Sequence, residues 1–326
     1  MLSTAWWFVG AAVVLATAAL TWAARRYALH RQMVDQPGER RSHQVATPRG
    51  GGIAMVVGLL MGMLVIGLRW PETASWLLQA AAGLVLVAGI GWWDDHRPLP
   101  ASLRLLVHLL AAGLLAALVL RAGGSGVQAL LALLLTVSLV NIWNFMDGIN
   151  GIATTQAIIA GLGFALLLPA PFMLAPLLLV AVCLGFLPFN FPRARIFMGD
   201  VGSGALGYAL ALLACMGSLL SPVNWLVLLL PLTAFLVDAG FTLVTRMLDG
   251  QRWTQPHTQH VYQRAVKAGA SHAFVTALYM LIGLLSVTVL IFVAPSGGMP
   301  QAVAVAAWWV VVSCLWWFMR ARLRAY

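Results

Sequence analysis

Long apolar runs separated by short polar stretches repeat from one end of the chain to the other. Eleven runs are long enough, or nearly so, to cross about 30 Å of hydrocarbon as helices. They lie near residues 4–23, 50–68, 76–93, 103–120, 127–143, 152–168, 171–188, 203–219, 223–243, 273–293 and 301–319. Proline and glycine fill the gaps, at Pro71, Pro98, Pro100, Gly123, Gly124, Pro169, Pro171, Pro222, Pro295 and Pro300, where helices are expected to stop. The pattern predicts an all-α, polytopic integral membrane protein of about eleven transmembrane helices, with residues 1–326 as a single transmembrane domain. The first run has no basic segment before it and Arg25-Arg26 after it, so it reads as a retained helix rather than a cleaved signal. No solenoid or transporter-type repeat is visible.

Composition agrees. Of the 326 residues, 62% are hydrophobic and 9% charged, against about 25% charged in an ordinary soluble protein. A net charge of +10 raises nucleic acid as a partner. It is rejected, because the basic residues sit in short loops between apolar runs and form no interleaved basic–aromatic patch. Cys183, Cys215 and Cys314 lie in apolar runs without zinc-like spacing and read as small core residues. The basic residues instead set orientation. With the 24–49 loop inside, seventeen of the nineteen Lys and Arg fall on the inner side and only Arg69 and Arg121 outside. That puts the N-terminus in the periplasm and the C-terminus in the cytoplasm.

On this topology every acid but Glu72 lies on or close to the cytoplasmic side: Asp35, Glu39, Asp94, Asp95, Asp147, Asp200, Asp238 and Asp249. The orientation rule concerns Lys and Arg and does not by itself gather acids. An acid in the middle of a membrane helix costs about 2.5–3.5 kcal/mol. The inner surface is therefore expected to hold a charged site at membrane level.

Five stretches carry candidate chemistry. In residues 190–207, Asp200 stands between Gly199 and Gly202, after Arg193 and Arg195 and before Ser203 and Gly204. Such a turn exposes N–H groups and can bring an anion and a divalent cation together; capping of a helix by Asp200 or Ser203 is the plainer alternative. The 35–52 loop offers Arg40, Arg41 and His43 as a phosphate clamp, with Gly50, Gly51 and Gly52 letting backbone approach a ligand, or is simply a solvated positive loop. The third run ends in Asp94-Asp95. Neighbouring helical residues point about 100° apart, so one acid can face a site while the other pairs with Arg97 or Arg104. Acids at a helix C-terminus also need a cation. Asn141, Asn144, Asp147 and Asn150 recur every three positions, lining a site or bonding helices together. The late loop holds Arg246, Arg252, His257, His260, Gln263 and Arg264. An anion site fits it better than a two-histidine metal site, because cations outnumber acids; a lipid-facing basic loop is the alternative.

In their order, these stretches resemble the polyprenyl-phosphate N-acetylhexosamine-1-phosphate transferase family, whose members start peptidoglycan, O-antigen, enterobacterial common antigen and teichoic acid linkage synthesis. The resemblance rests on R-R-S-H…P-x-G-G, the Asp-Asp pair, N-x-x-N-x-x-D-G-x-x-G, N-x-P…F-M-G-D-x-G-S and a late His-containing loop. It implies transfer of a sugar 1-phosphate from a UDP-N-acetyl sugar to undecaprenyl phosphate with release of UMP. The implied cofactor is Mg2+, with Mn2+ as the alternative. The implied setting is the bacterial inner membrane, with the site on its cytoplasmic face, the bilayer as a partner and a homodimer left open.

Matched position by position, the resemblance implies the metal at Asp200, with Asp147 beside it. It implies Asp94 and Asp95 in activating the lipid phosphate, Phe197 stacked on uracil, and Asn190 holding the nucleoside. Asn144, Asp147 and Asn150 would line the nucleotide pocket, and His257 and His260 would meet the diphosphate and sugar. Arg40, His43, Arg104 and Arg252 would supply cations for the remaining oxygens. Asn150 stands where relatives commonly carry Asp, a difference that bears on the nucleobase contact. The late loop looks closer to the O-antigen-initiating branch than to the peptidoglycan branch, so the donor sugar stays open. A transporter with an acidic site is the rival class, although these acids sit at one level rather than near the midplane. The D-G-x-x-A-R spacing of CDP-alcohol phosphotransferases is missing after Asp147-Gly148.

Overall fold

Lipid offers no partner to a backbone N–H or C=O, so an apolar chain must satisfy these groups within itself, and helices do so locally. A computed structural model of the chain describes residues 5–36, 38, 45–252 and 257–326. Among them the protein is all-α: α1 (Ala5–His30), α2 (Ile53–Arg69), α3 (Pro71–His96), α4 (Ala101–Arg121), α5 (Gly126–Phe145), α6 (Ile152–Leu167), α7 (Leu174–Asn190), α8 (Gly199–Leu220), α9 (Trp225–Leu228), α10 (Thr233–Leu248), α11 (Val261–Lys267), α12 (His272–Val293) and α13 (Gly298–Arg322). The one ladder among the described residues pairs β1 (Val34–Asp35) with β2 (Thr47–Pro48), antiparallel.

Each expected apolar run contains helix. Among the described residues eight helical stretches are long and apolar enough to cross a membrane, and α2, α6 and α7 are shorter apolar helices. The 223–243 run departs from a straight rod. A four-residue α9 and a 3-10 turn at Leu230–Leu232 precede α10, because Pro231 has no N–H for the helical ladder. At α5 the start is fixed locally. Ser125 and Gln128 form a reciprocal capping box, and the Gln128 amide also donates to Ser218 O at the far end of α8.

The bundle is built around α8. Residues Val201 to Gly217 are buried on every face, which marks a helix surrounded by protein rather than lipid. It packs on α3 and α5 and also touches α2, α4, α6, α7 and α9. Small residues permit this closeness. A Cβ on Gly91 of α3, on Gly52 before α2 or on Gly207 of α8 would run into the backbone of Asp200, Gly202 and Leu139 respectively. Gly52 thus lets backbone approach α8, while a Cβ on Gly51 would meet the side chains of Ile196 and Phe186. The same segment is zipped to the turn before α8: Phe197 N donates to Pro48 O, Gly51 N to Phe197 O and Gly52 N to Met198 O. The last turns of α3, α5 and α7 and the first turn of α8 consequently meet at one end of the bundle.

Candidate active site

At that end a cavity of about 320 Å³ opens, lined by Asp35, Arg49, Asp95, Asn144, Asp147, Asn190, Phe197, Asp200, Ser203, His257, Tyr262 and Gln263 among others. Asp95, 2% exposed, is turned towards α8. Its Oδ1 accepts from Asp200 N at 3.1 Å and its Oδ2 from Val201 N at 3.2 Å. A carboxylate from α3 therefore satisfies the first free N–H groups of α8, where the helix dipole favours negative charge. Arg49 reaches the same corner, donating from Nη2 to Asp95 O at 2.7 Å.

Asp94 faces the other way. Its Oδ1 accepts from Leu99 N at 2.7 Å, and its Oδ2 accepts from Arg104 Nη1 at 2.9 Å. The same Nη1 lies 2.7 Å from Oδ2 of Asp200. One guanidinium thus holds two acids that belong to different helices. All three groups retain some solvent exposure, so the bridge contributes orientation more than stability.

On the α5 side, Asn144 Nδ2 donates to Ser203 Oγ at 3.1 Å. Asp147 follows in the loop after α5. Burial, and then the negative charges of Asp200 and Asp95, push its carboxyl well above the usual range. Asn190 is 2% exposed, and both ends of its amide serve backbone: Oδ1 accepts from Gly151 N at 2.9 Å and Nδ2 donates to Ile196 O at 3.1 Å. It fixes the turn that presents Phe197.

The opposite wall comes from the late loop. His257 borders the cavity, its ring 4.9 Å from that of His260. Burial, then His260 and Arg246, pull the His257 imidazole down to about 4. Among the described residues no group of three or more His, Cys, Asp or Glu forms a ready metal cage. Magnesium needs no such cage, since it takes one or two carboxylates plus waters and substrate phosphates. The crowding of Asp95, Asp147 and Asp200 around one polar space suits a cation shared with a ligand.

Residues 77–218 match glycosyl transferase family 4. The chain is 30% identical over 282 residues to a probable undecaprenyl-phosphate N-acetylglucosaminyl 1-phosphate transferase of Bacillus subtilis (strain 168), covering 79% of this chain and 76% of that one. The chain belongs to the polyprenyl-phosphate N-acetylhexosamine-1-phosphate transferase family. A decaprenyl-phosphate N-acetylglucosaminephosphotransferase of Mycobacterium tuberculosis (strain H37Rv) is 30% identical over 85% of this chain and 80% of its own. A phospho-N-acetylmuramoyl-pentapeptide-transferase of Synechococcus sp. is 33% identical over 68% and 71%. With its apolar helices, the family member described here is a multi-pass membrane protein.

The structure brings Asp95, Asn144, Asp147, Asn190, Phe197, Asp200 and His257 of the expected set to one cavity. Asp94 and Arg104 stand outside its lining, bonded to each other, and Arg104 is bonded to Asp200 as well. Three further expected residues are off the wall. Asn150 spends its Nδ2 on Pro192 O, Arg252 is exposed, and His260 is 3% exposed with its Nδ1 turned towards Asp238. The two late-loop histidines do not share a helical face, because His260 is the residue that opens α11. Arg40 and His43 lie outside the described residues. Sequence reasoning missed Arg49, Asp35, Ser203 and Tyr262 on the wall, and gave no role to Asp238. An acid inside an apolar run is itself a signal, and it marks Asp238.

Proposed function

We propose that the protein transfers an N-acetylhexosamine 1-phosphate from a UDP-sugar to undecaprenyl phosphate at the cytoplasmic face of a bacterial inner membrane. The products are undecaprenyl-diphosphate-sugar and UMP, a first step towards O-antigen or another cell-surface polysaccharide. The observation that carries this reading is the convergence of Asp95, Asp147 and Asp200 with Arg49 on one cavity in a member of this transferase family. The cytoplasmic placement rests on the seventeen Lys and Arg assigned to that side.

A phosphate oxygen of the lipid attacks the sugar-bearing phosphorus of the donor. The new P–O bond forms as the bond to the bridging oxygen breaks, and that oxygen leaves with UMP. Both reactants are anions, so positioning and charge neutralisation carry most of the catalysis. Asp200 and Asp147 are the residues to hold Mg2+, or Mn2+ in its place. The bound ion supplies Lewis-acid neutralisation of diphosphate oxygens. Arg49 and Arg104 add fixed positive charge beside the acids. A phosphate monoester has its second pKa at about 6, so at neutral pH the lipid phosphate needs no base. Asp94, already engaged by Leu99 N and Arg104, orients Arg104. Phe197 offers a face for the nucleobase, and His257 and Gln263 face the diphosphate-sugar.

Purified protein incubated with undecaprenyl phosphate, Mg2+ and a panel of UDP-N-acetyl sugars tests this. The reading expects UMP release with one sugar, dependent on the lipid. No release with any sugar would refute it.

A further inference from the structure

A second carboxylate cluster lies outside the reaction just described. Asp238 on α10 is 1% exposed, and five donors converge on it. Val261 N (3.0 Å), Trp316 Nε1 (2.9 Å) and the Thr242 hydroxyl (3.2 Å) donate to Oδ1. The Tyr279 hydroxyl (2.6 Å) and Tyr262 N (3.4 Å) donate to Oδ2. The donors belong to α10, α11, α12 and α13. His260 Nδ1 stands 3.9 Å from Oδ1. A carboxylate offers two acceptor oxygens, whereas an amide of the same size would turn an NH2 group towards part of the set.

Two of these donors are the first N–H groups of α11, which have no partner within their own helix. Asp238 therefore pins the start of α11 from a neighbouring helix. From that helix Tyr262 and Gln263 reach the cavity wall. The Tyr262 hydroxyl continues the chain of contacts, donating to Phe145 O at 2.9 Å, two residues before Asp147. His260, packed between Asp238 and the ring of His257, carries the same constraint to the wall.

We propose that Asp238 is a positioning residue: by holding the start of α11 it sets His257, Tyr262 and Gln263 against the nucleotide-sugar, without touching substrate itself. The identity of what those three residues contact rests on the transferase reading above.

The test uses the full chain in lipid nanodiscs, comparing wild type with Asp238→Asn. Amide hydrogen exchange needs no substrate. In the variant, exchange over residues 257–267 is expected to quicken by about tenfold or more while amides of α8 keep their rates. In steady-state transfer, the KM for the UDP-sugar is expected to rise about tenfold, with kcat and the KM for polyprenyl phosphate within about twofold of wild type. A merely smaller folded fraction would lower kcat alone and leave both KM values, and would count against positioning. Should Asp238→Asn fail to fold, Tyr279→Phe and Trp316→Phe each remove one donor and are expected to raise the same KM by about two- to fivefold. Unchanged exchange over 257–267 in every folded variant overturns the proposal. So does faster exchange with an unchanged donor KM. If wild type releases no UMP with any sugar, the transferase reading fails, while the exchange result still decides what Asp238 holds.

Discussion

On one side of the cavity, Asp95, Asp147 and Asp200 stand at or beside the ends of helices that pass through the middle of the bundle. On the other side, His257, Tyr262 and Gln263 stand on a loop and a seven-residue helix at its edge. The first side is held by packing: α8 is buried on every face, and α3 and α5 approach it across glycines. The second is held by hydrogen bonds that converge on one carboxylate, Asp238. Close packing leaves little freedom to move. A polar cluster of this kind is rigid only while every member is satisfied. The acid side therefore provides fixed charge, and the late-loop side provides a wall whose position a single substitution can release.

The largest effect that separates the two sides is expected at Asp200. Asp200→Asn is expected to lower kcat by about 10³-fold, measured as UMP release, while melting within a few degrees of wild type. Next comes the packing itself. Gly207→Ala places a Cβ against the Leu139 backbone and is expected to cost about 1–3 kcal/mol of stability, read from denaturant unfolding in detergent. A neutral result would show that α5 and α8 can part without cost. On the late-loop side, Tyr262→Phe removes the hydrogen bond to Phe145 O. It is expected to cost about 1 kcal/mol and to weaken donor binding severalfold, leaving polyprenyl phosphate binding alone.

The smallest effect is a pH dependence. His257 is held near 4, below its ordinary 6.5. The unfolded chain therefore takes up a proton between those values that the folded chain does not. Stability from a neutral His257 is complete above about pH 6.5 and is lost as pH falls towards 4. His257→Gln should flatten that part of a melting-temperature profile by a small amount, since the ring is only half-buried and solvent screens it. An unchanged profile would place His257 in water.

Much of this was legible in the pattern of the chain. Each apolar run contains a helix, because length and hydropathy are local properties. Asp95, Asp147 and Asp200 gather at one cavity, because their place at the ends of runs already puts them there. The partners of those acids were not legible. Asp94 and Asp95 were expected to divide their roles, but only the packing of α3 on α8 makes Asp95 the one that caps α8 and leaves Asp94 to Arg104. That Gly52 meets the backbone of α8 was not legible either, since a Cβ-free backbone can approach a phosphate or another helix equally well. His260 is placed at the diphosphate and sugar by the resemblance, while the fold makes it the residue that opens α11, a position that only the contacts of α11 with Asp238 of α10 reveal. Asp238 went without a role because its five donors come from four helices and no local spacing joins them.

Manganese binding by the purified full chain in nanodiscs, read by electron paramagnetic resonance with and without a UDP-N-acetyl sugar, tests the division of labour most directly. One ion per chain is expected, bound more tightly with the sugar nucleotide present, lost in Asp200→Asn and retained in Asp238→Asn. Equal binding by Asp200→Asn, or loss in Asp238→Asn, would contradict a cation site built on the packed side of the cavity alone.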